Sequence, residues 1–111
     1  MESLEIANRA HEALLSKKGT DVLIVDVRAT SSVTDYFVLA TGATAPQLKA
    51  MTGSVVAELK QDGMTCFRRS GVPDDGWMVL DYFDVVIHVF QTEVRAYYAI
   101  EELWAAAPRV G

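Results

Sequence analysis

Cysteine is almost missing from this chain: Cys66 is the only one in 111 residues. A disulfide framework is therefore excluded, and so is a zinc site built from clustered cysteines of one chain. Cys66 itself reads as a half-buried strand residue. Positive charge is scarce as well, with ten Lys and Arg against fifteen Asp and Glu and a net charge of -5. Proteins that wrap nucleic acid do so by neutralising phosphates, so independent nucleic-acid binding is not expected. An acidic chain suits docking against a basic protein surface instead. No apolar run approaches the roughly 20 residues that cross a bilayer. The opening MESLEIANRAHEALLSKKG carries acids where a secretory leader has an apolar stretch. The expected setting is a reducing interior, the cytoplasm ahead of an organelle matrix.

The usual marks of catalysis are missing too. There is no Walker lysine and no HExxH, and His11 and His88 stand far apart. Gly42, Gly53 and Gly63 form no phosphate-binding fingerprint, and no serine sits in a nucleophile elbow. Asp26, Asp35, Asp81 and Asp84 can hold a divalent metal only if the fold gathers them, and nothing in the sequence does so. Each reads as a cap, a turn residue or a surface charge. No cofactor and no metal are expected, and a metal-dependent nucleotidyl or phosphoryl transferase is the lesser alternative.

Hydrophobic residues are plentiful at 50% of the chain, enough for the core of one domain over residues 1–111. Leu4, Ala7, His11, Leu14 and Leu15 recur at helical spacing, predicting a helix over 3–18 with Ser3 as N-cap and Gly19 at its stop. VLIVDV (22–27) and YFVLATG (36–42) read as strands and, being adjacent, as a β-hairpin. The RATSSVTD between them has the hydroxyls and carboxylates to satisfy its own backbone. TAPQ (44–47) is a capping box opening a helix to about Asp62, with Leu48, Met51, Val55 and Leu59 as its core stripe and Gly63 ending it. MTCFRR (64–69) reads as a strand, SGVPDDG (70–76) as a loop, and 77–81 and 84–91 as two more strands. A last helix follows Thr92 and runs to Pro108. The expected fold class is α/β: one domain with a mixed five-stranded sheet and flanking helices.

The stretch DDGWMVLDYFDVVIHVF (74–90) is mostly strand-forming sequence, interrupted by acids, a tryptophan and a histidine. Strand alternation puts Met78 and Leu80 on one face, with Val85, Ile87 and Val89 beside them. That side is core. Trp77, Val79 and Asp81 share the other face with Asp84, Val86, His88 and Phe90. A two-residue turn at Tyr82 and Phe83 would set Asp81 opposite Asp84 and Trp77 opposite His88. This second face is either another buried layer or a recognition surface, since apolar area framed by polar groups serves both. Trp77 is accordingly a core residue or a partner contact, and His88 reads most simply as a satisfied sheet histidine.

The motifs TSSVTDYFVLATG, PQLKAM, GWMVLDYFDVVIHVF and EVRAYYAIEELW together closely resemble the ribosomal silencing factor family (RsfS, also called Iojap), over roughly residues 3–107. The resemblance implies a nucleotidyltransferase-like fold without established catalysis, and homodimers. It implies binding to the large ribosomal subunit through that subunit's universal fourteenth protein, at the face that meets the small subunit. Blocked subunit joining and repressed translation would follow; an assembly role at the same interface is the alternative.

Carried over position by position, the family's motifs fall on Ser32, Asp35, Tyr36 and Phe37, then on Trp77, Leu80, Asp81 and Tyr82, then on Asp84, His88 and Phe90. The helix signature falls on Arg95, Tyr98, Glu101, Leu103 and Trp104. The motifs, with Val79 added from the same strand face as Trp77, give the expected partner-binding residues as Trp77, Val79, Leu80, Asp81, Tyr82, Asp84 and His88. Two positions depart from the family pattern. Phe83 stands where glycine is usual, and Ser70 where glutamate is.

Overall fold

The structure, a computed structural model, describes residues 1–98 and 108–110. Its order is α1 (Ser3–Ser16), β1 (Thr20–Asp26), β2 (Tyr36–Gly42), α2 (Ala45–Gln61), β3 (Arg68–Ser70), β4 (Trp77–Asp81), β5 (Val85–Gln91), α3 (Thr92–Tyr98) and β6 (Arg109–Val110), with a short 3-10 turn at Pro73–Asp75. The expected last helix lies outside the described residues over 99–107, taking Ile100, Leu103 and Trp104 with it.

The β1–β2 hairpin forms as the sequence predicts, antiparallel, with Leu23 beside Leu39 and Val25 beside Phe37. β2 then pairs parallel with β5, so α2 and the β3–β4 pair make up the crossover between them. The sheet is mixed and has six strands rather than five, in the order β3-β4-β5-β2-β1-β6. The extra strand is two residues beyond Pro108, paired through Ile24–Val110 and Val25–Arg109. Two residues are too few for a periodic pattern to reveal. β3 is shorter than MTCFRR suggested: only Arg68–Ser70 joins the ladder. Nothing in this topology supports the nucleotidyltransferase-like part of the expectation.

Both long helices lie on one face of the sheet. Leu48, Met51, Val55 and Leu59 are buried as expected. The stripe of α1 is rotated from its expected place. Ile6, Ala7, Ala10, Ala13 and Leu14 face inward, while Leu4 and Leu15 remain exposed. The inward alanines leave room for α2 to approach, and they carry the contact without long side chains. On the outer side Arg9 bridges the helices, 2.8 Å from Asp62 and 3.1 Å from Glu58.

The caps explain the helix limits. Glu2 caps α1 in place of Ser3, in a reciprocal box with Glu5. At the other end Gly19 donates its N–H to the Leu14 carbonyl at 3.0 Å, and Lys18 donates to Leu15 at 3.0 Å. That is a Schellman closure whose left-handed residue is Lys18 (φ 65) and not Gly19. Gly19 serves for another reason: a Cβ there would meet the Leu14 carbonyl oxygen at 2.9 Å, a backbone atom that cannot swing aside. In α2, Thr44 accepts the Gln47 N–H at 3.2 Å. Gln47 reaches back to the Ala43 N–H at 2.7 Å and also donates to the Lys17 and Lys18 carbonyls. One side chain thus caps α2 and ties down the end of α1.

Candidate partner interface

The second sheet face can be laid out in three rows from the strand register. The first runs Val25, Phe37, Val86, Asp81; the second Leu23, Leu39, His88, Val79; the third Thr41, Phe90, Trp77. α3 follows β5 directly and sits at the third row. From there Arg95, buried, donates to the Thr41 hydroxyl at 2.7 Å and to the Asp21 carbonyl at 2.9 Å. Val25, Val27, Leu39 and Phe90 form a small second core, with Leu23, Phe37, Trp77 and Val94 packed against it. Both readings of this face therefore hold in part. It is a buried layer at the Phe90 end and opens toward Asp81, where Val79, Val86 and Asp81 are half-buried.

Aromatic rings knit the middle together. The Trp77 indole N–H donates to His88 Nδ1 at 3.2 Å. His88 stacks on Phe90 with ring centroids 5.9 Å apart, and Trp77 meets Phe90 at 5.0 Å. Burial pushes the His88 pKa down to about 4, so the imidazole is neutral at physiological pH and can accept from the indole.

The turn at the open end differs from the expected one. Trp77 pairs with Phe90, and His88 with Val79. The loop is Phe83–Asp84, closed by the Tyr82 N–H on the Val85 carbonyl at 2.9 Å. The expected register was off by two residues, which moves every pair along the strand but keeps each side chain on its face. Phe83 has φ 68, and the Asp84 N–H donates to the Tyr82 carbonyl across it at 2.9 Å. This is a γ-turn of the strained, positive-φ kind. Asp81 steadies it, its Oδ1 accepting the Phe83 N–H at 2.8 Å. The two acids therefore do not face each other across the ladder. The loop before β2 is tied to the same turn, through the Asp35 N–H on the Asp84 carbonyl at 2.8 Å.

Of the seven residues expected to bind a partner, the structure brings Trp77, Val79, Asp81, Asp84 and His88 to this face or its turn. Leu80 and Tyr82 point the other way and are withdrawn from any partner, being buried in the core beneath the helices. Burial also pushes the Tyr82 hydroxyl pKa up to about 12, with the Cys66 thiol adding to the rise. Strand alternation separates 80 and 82 from 79 and 81; only the family motif, taken as a block, joined them.

Three exposed apolar side chains were missed: Val33, Phe67 and Phe83, with relative exposures of 82%, 54% and 59%. Phe67 and Phe83 touch, their ring centroids 4.2 Å apart. With Ser31, Thr34, Phe37, Asp81 and Val86 the three line a groove of about 400 Å³. The only sequence signal was the departure from glycine at Phe83.

Of the four acids weighed as a metal cluster, Asp35, Asp81 and Asp84 are linked at one turn by hydrogen bonds that involve the main chain. Asp26 is engaged by Arg28, whose guanidinium lies 2.8 Å away and whose hydrogen bonds hold the carboxyl below its ordinary pKa. Among the described residues no group of three or more His, Cys, Asp or Glu side chains could hold a metal ion.

A small α/β domain with one sheet face sealed by helices, and the other opening into an apolar, acid-edged corner, has the layout of a binding protein. The comparisons give that class a family. The profile "Ribosomal silencing factor during starvation" (RsfS) matches residues 1–111. The ribosomal silencing factor RsfS of Haemophilus influenzae is 36% identical over 94 residues, covering 85% of this chain and 92% of its own. A crystal structure from Chromobacterium violaceum superposes with a TM-score of 0.90 at 38% identity, covering 95% of this chain and 88% of that one. Another from Bacillus halodurans gives 0.85 at 30% identity, covering 97% and 98%. The chain belongs to the ribosomal silencing factor family. The printed description of that family makes its members silencing factors of the ribosome.

Proposed function

We propose that this protein binds the large ribosomal subunit through its universal fourteenth protein, blocks joining of the small subunit and so represses translation. The observation that carries the reading is the open corner of the second sheet face. Half-buried Val79 and Val86 there adjoin Asp81 and the exposed Asp84 on a tied-down turn. Apolar area with carboxylates at its rim suits a ribosomal protein surface, where basic side chains border apolar ones. Val79, Asp81 and Asp84 are the proposed contacts, with Trp77 and His88 holding the strands beneath them. The same resemblance supports a homodimer.

Sucrose-gradient fractionation of the tagged protein tests the partner. Co-migration with mature large subunits supports the proposal, and a protein left wholly at the top of the gradient contradicts it. Residence on immature large-subunit particles alone would favour the assembly reading.

A further inference from the structure

Phe83 is placed against its own conformational preference. A side chain other than glycine at φ 68 is strained by about 1 kcal/mol or more. Glycine in that position would carry no such strain. The ring does not recover the loss by burial, since 59% of the residue remains exposed. Its main contact is Phe67, itself 54% exposed. Two large rings thus shield one another only in part, beside Val33 at 82% exposure and at the mouth of a groove floored by Phe37 and Val86. Neither strain nor exposure serves the fold, and the two coincide at one corner.

The chemistry of the groove selects its occupant. Its walls are mostly apolar, and Asp81 is the acidic side chain lining it. One Asp81 oxygen accepts the Phe83 N–H, which leaves further lone pairs for a donor. Asp84 follows on the exposed turn and adds negative charge. Arg68 already lies over the Phe67 ring, 5.6 Å from its centroid, so this ring does accept a guanidinium. Apolar walls leading to a carboxylate match a lysine or arginine side chain, whose aliphatic stem and cationic head want different surroundings.

We propose that Phe67 and Phe83 form an accessory anchor that clasps the stem of a lysine or arginine of the partner protein, with Asp81 meeting its charge. The inference rests on the ribosomal reading above and adds to it the residues that grip and the side chain gripped.

The test uses the full chain and purified bacterial large ribosomal subunits. Phe83→Gly should raise the melting temperature by about 4–8 °C, since it relieves the strained turn. The same variant should weaken binding about ten-fold. Phe83→Asn, which also tolerates positive φ, should weaken binding similarly, and Phe67→Ala should do so without additivity. A role confined to the fold cannot give a more stable protein that binds less well. Unchanged affinity of Phe83→Gly and Phe83→Asn, with Asp84→Asn weakened, would overturn the anchor and leave the ribosomal reading standing. A fall in melting temperature for Phe83→Gly would also overturn it, by giving the ring a structural purpose. If the wild-type chain failed to bind the subunits, both would fall together.

Discussion

The indole nitrogen of Trp77 donates to Nδ1 of His88 across β4 and β5, at 3.2 Å. The bond requires an unprotonated Nδ1, and the burial that lowers the His88 pKa to about 4 keeps it so. A free histidine titrates near 6.5, so the unfolded chain binds more protons than the folded one between those values. Stability contributed by neutral His88 is therefore complete above about pH 6.5 and is lost as pH falls toward 4. Urea melts at pH 7 and pH 4.5 should differ by roughly 2 kcal/mol through this group. His88→Asn, which keeps an acceptor and does not titrate, should show a flatter dependence. An equal slope in both proteins would remove His88 as the cause.

Trp77→Ala removes the ring that packs on Phe90 and the donor to His88. Loss of a half-buried aromatic predicts a stability loss of roughly 3 kcal/mol by chemical denaturation. Trp77→Phe retains most of the packing and should lose only about 1 kcal/mol, for the missing hydrogen bond. Near-wild-type stability of Trp77→Ala would make the indole a surface contact alone.

Asp81 and Asp84 should respond differently to neutralisation. Asp81→Asn keeps an oxygen for the Phe83 N–H, so the turn should survive. Asp84→Asn changes an exposed side chain. Both should leave the melting temperature nearly unchanged and weaken binding to the isolated large-subunit protein, with a shallower salt dependence. Binding measured across a salt series checks this, and indifference of both variants would take the acids out of the interface.

How much of this was legible in the chain depends on how local each signal was. The hairpin, the α2 stripe, Thr44 with Gln47, and Gly63 (φ 85) rest on neighbouring residues and stand as read. The α1 stripe was misplaced because several registers of Ile, Leu and Ala fit one helical period. The turn was displaced because Tyr82–Phe83 and Phe83–Asp84 look alike when neither contains glycine. The face assignments survived, since an error of two residues preserves alternation. β6 is visible only as a pairing with β1, which no local pattern encodes. The groove escaped notice because Val33, Phe67 and Phe83 come from three separate loops. Each alone is an ordinary exposed residue, and only the tertiary fold makes them one surface.

A protein with the proposed role keeps the ribosomal subunits apart. Purified large and small subunits, mixed at a magnesium concentration that drives joining, can be followed by light scattering. Pre-incubation of the large subunits with saturating protein should suppress the rise in scattering, and the Asp84→Asn and Phe83→Gly variants should need higher concentrations to match it. Reassociation that proceeds unchanged, with the protein bound to the large subunit throughout, would contradict the account.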